Sequence, residues 1–541
     1  MAFSTPADSH VLQRIGILLL AIIAFFAALA RRLNIPYPIL LVLAGVGLSL
    51  LPHVPRVPLS PDVVFFVFLP PLLYAAAWQT DSRGFRQNLL TIGMLATGLV
   101  AFTVLAIAFF ADRFITELDF RSGFLLGAVV AATDAVAATS IARSLGLAPT
   151  ITSILEGESL LNDATALLAL ELGLSLLLEN HLPTVGSALL SLLWLVAGGV
   201  GLGLLLGYIF YLCERLIDQG SLEMVLSIIV PYVAYLVAEQ LHTSGVICVV
   251  TCGLFLSRRS ATYLTPPARI QIFASWQALD FVLNGLVFLL IGLQLPYILP
   301  GIKGYGTGRL AIDGLLFSLV LIALRLLWVF PGAAFSTFVR RRLLHQHVPT
   351  PDPRAVFIIG WTGMRGVLSL AAALSLPYTL SNGQPFTQRN LILFLTFSII
   401  LVTLVLQGLS LPPIIRALGL TGSREEEHEE LTARRILLQR VIVSLRDQLA
   451  AASDGDRHDI QDMLHIYEHR LEATRDPSTA QNPAAARHER RGQLRLEALN
   501  IERSALLDLR DRGLVSDDVL RRLEYEIDLS ETRYTARNEV L

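Results

Sequence analysis

Long apolar runs recur along the first 420 residues of the chain, and they constrain its fold more than any other feature. A helix needs about 20 mainly apolar residues to cross the hydrocarbon core of a bilayer, and no single soluble core could bury so many runs of that length. Of the 541 residues, 54% are hydrophobic and only 16% are charged, against about a quarter charged in soluble domains. The sequence therefore predicts an all-α polytopic membrane protein.

About thirteen membrane-spanning helices are predicted from apolar runs that end at Gly, Pro, Asn or charged residues. The expected ranges are 11–30, 36–51, 59–78, 88–112, 122–142, 150–179, 186–213, 222–242, 245–257, 271–297, 311–337, 354–377 and 388–417. The first run lacks the positive leader of a signal peptide and is followed at once by Arg31 and Arg32. We therefore expect it to remain as a membrane anchor.

Charged residues are concentrated after residue 420. Residues 421–541 contain 19 arginines and 25 acidic residues, and Leu, Ile and Val recur at helical spacing over 431–449 and 501–529. Residues 476–486, rich in Pro, Ala, Ser and Asn, are interpreted as a linker. We expect a transmembrane domain at 1–420 and a charged helical tail at 421–541, which is either a solvated appendage or a regulatory or oligomer-stabilising element.

Basic residues in the predicted loops indicate the orientation, because cytoplasmic loops carry an excess of Arg and Lys. With the N-terminus outside, thirteen basic residues fall in cytoplasmic loops and six in external loops. We therefore expect a multi-pass protein of the plasma membrane, the inner membrane of a bacterium, with its C-terminal tail in the cytoplasm.

Several other functions require features that are not found in this sequence. A net charge of −2 provides no basic surface for nucleic acid, and three cysteines in apolar settings are too few for a disulfide framework or a zinc site. Neither an H-E-x-x-H motif nor a G-x-x-x-x-G-K-[ST] loop is present, which disfavours an intramembrane protease and an ATP-driven pump. We expect neither enzymatic activity nor a cofactor.

Ionisable residues within the predicted spans indicate a functional site, because charges inside a membrane are costly. Asp134 follows Thr133 among small residues of the fifth span, Glu158 and Asp163 lie in the sixth, and Arg365 lies between glycines in the twelfth. The small-residue stretches of spans five and twelve predict two interrupted helices, seven spans apart. This arrangement is typical of transporters built from inverted repeats, whose helix breaks meet near the membrane midplane.

Helical spacing assigns the polar residues of the sixth span to two faces. Ser159 and Asp163 are four residues apart and share one face, as do Glu158 and Asn162, whereas Glu158 points about 140° away from Asp163. Ser159 and Asp163 can offer oxygens to one small cation, and Arg365 is the predicted partner of Glu158. Burial and a second nearby carboxylate both favour the protonated form of a carboxylate, so proton and cation compete for the same oxygens, which is sufficient for coupled antiport.

Two further polar positions leave alternatives open. Asp280 and Asn284, one helical turn apart in the tenth span, either line the ion path or form a buried hydrogen-bonded support. Arg325 in the eleventh span needs a partner, either as one half of a structural ion pair or as a gate.

Residues 157–166, Gly-Glu-Ser-Leu-Leu-Asn-Asp-Ala-Thr-Ala, together with Thr133-Asp134 and the sequence Gly-Met-Arg-Gly at 363–366, resemble the NhaP/NHE branch of the monovalent cation:proton antiporters. The match in motif order and span number extends over residues 11–417. The resemblance implies thirteen helices in inverted repeats, a homodimer, and elevator-like movement of a core domain against a dimerisation domain.

The same resemblance implies roles for single residues. Asp163 is expected to bind either cation or proton, with Ser159, Asp134 and the carbonyl of Thr133 as assisting ligands. Asn162 matches the family's Asn-Asp position, and an Asn there, in place of a second Asp, implies electroneutral exchange.

Glu158 and Arg365 resemble the buried ion pair that holds the core of the family together. Some bacterial relatives carry an acid after the third-span Pro-Pro pair, where this chain has Ala75, so the choice of ion stays open. The predicted function is exchange of sodium or lithium for protons, and the alternatives are a potassium-selective antiporter or a cation channel.

Overall fold

The computed structural model describes thirteen stretches of the chain, and all structural statements below concern these stretches. They are residues 6–33, 35–52, 59–115, 117–178, 185–217, 219–302, 306–346, 349–380, 383–422, 425–453, 456–474, 483–512 and 517–538. Most of the predicted linker at 476–486 lies outside the described residues, and residues 483–486 form the first turn of a helix.

Within the described residues the secondary structure is helical, with no strand, which confirms the predicted fold class. The α-helices are α1 Pro6–Leu33, α2 Tyr37–Ser49, α3 Pro61–Val63, α4 Leu69–Gln79, α5 Ser82–Gly93, α6 Val100–Phe114, α7 Phe120–Ala131, α8 Val136–Ser144, α9 Pro149–Leu178, α10 Val185–Glu214, α11 Gly220–Gln240, α12 Gly245–Tyr263, α13 Pro266–Leu293, α14 Leu295–Ile298, α15 Thr307–Arg342, α16 Pro353–Trp361, α17 Val367–Leu374, α18 Arg389–Val402, α19 Gly408–Leu418, α20 Glu425–Ala451, α21 Arg457–Ala473, α22 Pro483–Asp511 and α23 Asp517–Asn538. Three π-helical turns, Val64–Phe68, Met94–Leu99 and Thr403–Gln407, join α3 to α4, α5 to α6 and α18 to α19.

Ten helical segments of the described chain are long and apolar enough to cross a membrane, and α2 is a shorter apolar helix. Each of the thirteen predicted ranges overlaps a helix of the structure. Many large apolar side chains on these helices are exposed, among them Phe25, Phe109 and Trp194, as expected where lipid replaces water. A multi-pass membrane protein follows, while thirteen crossings and an inverted repeat stay predictions.

Two spans are interrupted where small residues predict a break. α7 ends at Ala131 and α8 begins at Val136, and α16 ends at Trp361 and α17 begins at Val367. Residues 132–135 and 362–366 are non-helical, so their backbone groups are available to other partners.

Small residues also let α2 and α13 pack closely. A Cβ atom added to Gly45 would meet the carbonyl oxygen of Leu289 and lie 3.0 Å from the Cα of Gly292. Close approach of this kind stabilises helix pairs in membranes by dispersion contacts. It fixes α13, which carries Asp280, against α2.

The chain divides into two compact units, Met1–Ser423 and Arg424–Leu541. The second unit contains α20–α23, and the expected range 501–529 is divided between α22 and α23. Leu506, Leu520 and Ile527 form a small apolar core in this unit, and Arg503 donates to Asp528 at 2.6 Å beside it.

Candidate ion-binding site

The two helix breaks contact each other through their backbones. The amide of Asp134 in the first break donates to the carbonyl of Met364 in the second, at 2.9 Å. The hydroxyl of Ser369 on α17 approaches the carbonyl of Ala132 at 3.5 Å. The contact satisfies backbone groups that the interruptions leave without intrahelical partners.

Ser159 joins α9 to the first break. Its hydroxyl donates to the carbonyl of Thr133 at 2.9 Å and accepts from the amide of Ala135 at 3.3 Å. The predicted ligands Ser159 and Thr133 are therefore in direct contact.

The other face of α9 holds the side chain of Thr133. The amide group of Asn162 donates to the Thr133 hydroxyl, which donates to the Glu158 carboxylate at 3.3 Å. Asn162 and Glu158 are each 1% exposed, and neither lines the cavity that opens beside the first break. The structure thus separates these two residues from Ser159 and Asp163, and Asn162 contacts the break rather than the cavity.

The predicted partner of Glu158 was wrong: Arg325 of α15, rather than Arg365, forms the ion pair. Arg325 Nη2 lies 2.7 Å from Glu158 Oε2, Nη1 binds the other oxygen, and the two side chains are 2% and 1% exposed. Arg325 also donates to the carbonyls of Gly360, at 3.1 Å, and Ile359, at 3.0 Å. One guanidinium therefore neutralises a buried carboxylate and satisfies carbonyls at the end of α16.

Arg365 turns back onto its own chain instead. Its Nη1 donates to the carbonyl of Gly363 at 2.8 Å, and its amide donates to Thr403 in a π-helical turn at 3.3 Å. Its Nε has no hydrogen-bond partner within the described residues. Arg365 consequently braces the second break internally.

A cavity of about 240 Å³ opens beside the first break. Its walls include Asp163 and Ser159 of α9, Thr133 and Asp134 of the break, and Asp280 of α13. Its outer end is lined by Arg143 and Glu156, which form an ion pair at 2.6 Å, and the Arg143 side chain is 51% exposed. The cavity therefore reaches from the buried carboxylates towards the exposed end of α8.

Asp163 is the most distinctive group in this cavity. The residue is 9% exposed, and no hydrogen bond to its carboxylate is formed by any other described residue. A buried carboxylate without a donor is costly unless it binds a proton or a cation. This side chain lines the cavity, so either ligand can reach it.

Asp134 faces both the cavity and the start of α17. Its Oδ1 accepts from the amide of Val136 at 2.9 Å, and a Cβ added to Gly366 would overlap its carboxylate. The N-terminal end of a helix favours negative charge, so α17 offers Asp134 a partly positive neighbour. Asp134 interacts electrostatically with Asp163.

The cavity contains no group of three or more His, Cys, Asp or Glu side chains suited to a metal ion, and the same holds for the rest of the described chain. The available oxygens instead come from two carboxylates, the Ser159 hydroxyl and the Thr133 carbonyl. This small set of oxygen ligands suits a monovalent cation that is transported better than a divalent metal that stays bound.

The polar mouth of the cavity was not predicted from the sequence. Arg143 bonds the Gln79 side chain at 3.3 Å in addition to Glu156. Arg143 in the last turn of α8 and Glu156 about two turns into α9 were a signal, since two helices joined by a short connection can bring such side chains together.

Comparison with known proteins identifies the family. The model of the family described as "Sodium/hydrogen exchanger, transmembrane" matches residues 18–417. The chain belongs to the sodium/hydrogen exchanger family. The predicted resemblance is confirmed, and the family is one of transporters.

Two relatives and one solved structure illustrate the match. An uncharacterised Na⁺/H⁺ exchanger of Mycobacterium tuberculosis (strain ATCC 25618 / H37Rv) is 33% identical over 95% of both chains. The Na⁺/H⁺ antiporter ApNhaP of Aphanothece halophytica is 34% identical over 76% of this chain and 75% of its own. The sodium proton antiporter MjNhaP1 of Methanocaldococcus jannaschii superimposes with a TM-score of 0.59 at 22% identity, over 76% of this chain and 99% of that one, so the two share a fold.

Proposed function

We propose that this protein is a secondary antiporter that exchanges a monovalent cation, sodium or lithium, for protons across the plasma membrane. One observation carries the proposal: the carboxylate of Asp163 is 9% exposed, faces the cavity and accepts no hydrogen bond from any described residue. Such a group is stable either with a proton on it or with a cation beside it. Family membership and the names of the relatives support this choice of substrates.

In the proposed cycle, the cation is held by Asp163, Ser159, Asp134 and the carbonyl of Thr133. Ser159 already orients that carbonyl through a 2.9 Å hydrogen bond. Asn162 acts indirectly, by holding the hydroxyl of Thr133 from the opposite face. A proton that arrives at Asp163 removes the charge that retains the cation, so only one of the two ligands is carried at a time.

The proposed stoichiometry is one cation per proton. The Asn-Asp pair contains one carboxylate, that of Asp163, and its negative charge is neutralised by a cation in one direction of transport and by a proton in the other. No net charge therefore crosses the membrane. We further propose that the site alternates between the two membrane faces by elevator movement within a homodimer. The hydrogen bond from the Asp134 amide to the Met364 carbonyl joins the two breaks, which supports their movement together.

The proposed topology has thirteen crossings, with the N-terminus outside and the helical tail in the cytoplasm. The distribution of basic residues in the loops supports this orientation. The cavity then opens towards the cytoplasm, because Arg143 directly follows the fifth predicted span, 122–142, in a loop that this topology places in the cytoplasm.

The test is proton movement in proteoliposomes with the membrane potential clamped, on addition of sodium, lithium or potassium. Wild-type protein is expected to move protons only when a cation is added, with saturation, and Asp163→Asn is expected to move none. Glu171→Gln is the matched control, because Glu171 lies on the same helix eight residues further, is exposed and does not line the cavity.

The ion series also separates the alternatives. Response to potassium alone would identify a potassium-selective antiporter. A cation current that needs no proton gradient and follows the membrane potential would identify a channel and overturn the proposed exchange.

A further inference from the structure

The cavity has a third carboxylate on a helix that the proposed site does not use. Asp280 of α13 lines the same cavity as Asp163 and Asp134. It lies fourteen residues into α13, and Asp163 lies fourteen residues into α9. At 1.5 Å per residue both are about 21 Å from the first residue of their helices.

The surroundings of Asp280 fix its side chain without neutralising it. The side-chain amide of Asn284, one turn further along α13, donates to Asp280 Oδ1 at 2.9 Å. The basic residue at the cavity, Arg143, is already bound to Glu156 at 2.6 Å. Arg143 interacts with Asp280 electrostatically, but neither it nor any other described basic side chain lies within ion-pair distance of Asp280.

Asp134 is the carboxylate that interacts with both of the others. It interacts with Asp163 and also with Asp280. The three do not form a group able to hold one metal ion together. Asp280 therefore lies at a separate position on the cavity wall.

We propose that Asp280 is a second cation-binding position, at which an entering monovalent cation is held with part of its water before it reaches Asp163. The inference rests on the proposed antiport. A fixed carboxylate that forms no ion pair raises the local concentration of cations in a cleft. Asn284 is its positioning residue, because the hydrogen bond keeps one carboxylate oxygen directed along α13 and leaves the other for the ion.

The variant Asp280→Asn tests the charge alone. An amide oxygen can still accept the hydrogen bond from Asn284, so a purely structural role is preserved. Removing a unit charge at a helix spacing of about 10 Å, at an effective dielectric constant of about 20, weakens cation binding by about tenfold. We expect the apparent KM for sodium to rise by about that factor, with little change in the maximal rate.

Two variants serve as controls in the same proteoliposome assay. Asp280→Glu retains the charge and is expected to keep the apparent KM within about threefold of wild type, since the charge moves by only one methylene group. Asp313→Asn makes the same substitution on α15, at a carboxylate that pairs with Arg309 at 3.9 Å and does not line the cavity. It is expected to leave the KM unchanged.

Each outcome decides one question. If wild type moves no protons with any cation, the proposed function fails. If wild type exchanges ions and Asp280→Asn keeps the wild-type KM, or Asp280→Glu is as impaired as Asp280→Asn, the role of Asp280 is refuted while antiport stands. Should Asp280→Asn not fold, Asp280→Ser, which also removes the charge, takes its place.

Discussion

The ion pair between Glu158 and Arg325 gives the most stringent test of the packing around the site. Both side chains are almost completely buried, and Nη2 and Oε2 are 2.7 Å apart. Removing one member of a buried pair leaves an uncompensated charge and costs about 3–5 kcal/mol. We therefore expect Glu158→Leu to destabilise the protein by about 4 kcal/mol.

Arg325→Met is expected to cost somewhat more. It leaves the Glu158 carboxylate without its ion-pair partner and also removes the donors that the carbonyls of Gly360 and Ile359 accept from. Each lost hydrogen bond adds about 1 kcal/mol. The double variant has no unpaired charge, but the two carbonyls lose their donor and the Thr133 hydroxyl loses its acceptor, so the expected cost falls to about 3 kcal/mol.

The assay is reversible unfolding of the purified protein in mixed micelles, applied to wild type, both single variants and the double variant. The double variant should be more stable than either single variant. A parallel cycle with Glu158→Leu and Arg365→Met should show a much smaller coupling energy. Additive losses in the first cycle, or a larger coupling in the second, would refute the assignment of Arg325 as the partner.

Two glycine positions give further predictions. Gly45→Ala should weaken the packing of α2 on α13 by about 1–3 kcal/mol, because its Cβ would meet backbone atoms. Gly47→Ala has open space around its new Cβ and should be neutral in the same unfolding assay. Equal effects of the two variants would contradict the close approach of the helices. Gly366→Ala should reduce cation-dependent proton flux at least about tenfold, because the new methyl group would displace the carboxylate of Asp134. A wild-type rate in proteoliposomes would show that this contact is dispensable.

Much of the arrangement was predictable from local sequence. Small residues around Asp134 and Arg365 predict the breaks, and the structure interrupts both spans there. The four-residue spacing of Ser159 and Asp163 predicts a shared face, and both line one cavity. These features depend on neighbours in the chain, so helical geometry is sufficient to derive them.

The ion-pair partner depends on tertiary geometry, and there the prediction failed. Two buried arginines compete for Glu158, and spacing along the chain does not order them. The end of α16 frees the carbonyls of Gly360 and Ile359, which need donors, and Arg325 on the neighbouring continuous helix reaches both together with Glu158. Arg365 is itself part of the break, so its guanidinium is used by the carbonyl of Gly363.

From the sequence, Asp280 could be assigned only two alternative roles: lining the ion path or forming a buried hydrogen-bonded support. Its hydrogen bond to Asn284 follows from their spacing on one helix. That the same side chain also faces Asp134 depends on how α13 packs against the broken span. The structure contains the hydrogen bond and places Asp280 on the cavity wall, so the two alternatives are compatible, and the role in an ion path stays a prediction.

Competition between cation and proton at Asp163 is tested most directly by proton release from purified protein in weakly buffered detergent solution. We predict that sodium releases about half a proton per subunit at the midpoint of the Asp163 titration, where half of these carboxylates carry a proton that the cation can displace, and that Asp163→Asn releases none. Absence of release from wild type with sodium, lithium or potassium, or equal release from Asp163→Asn, would contradict exchange at this residue.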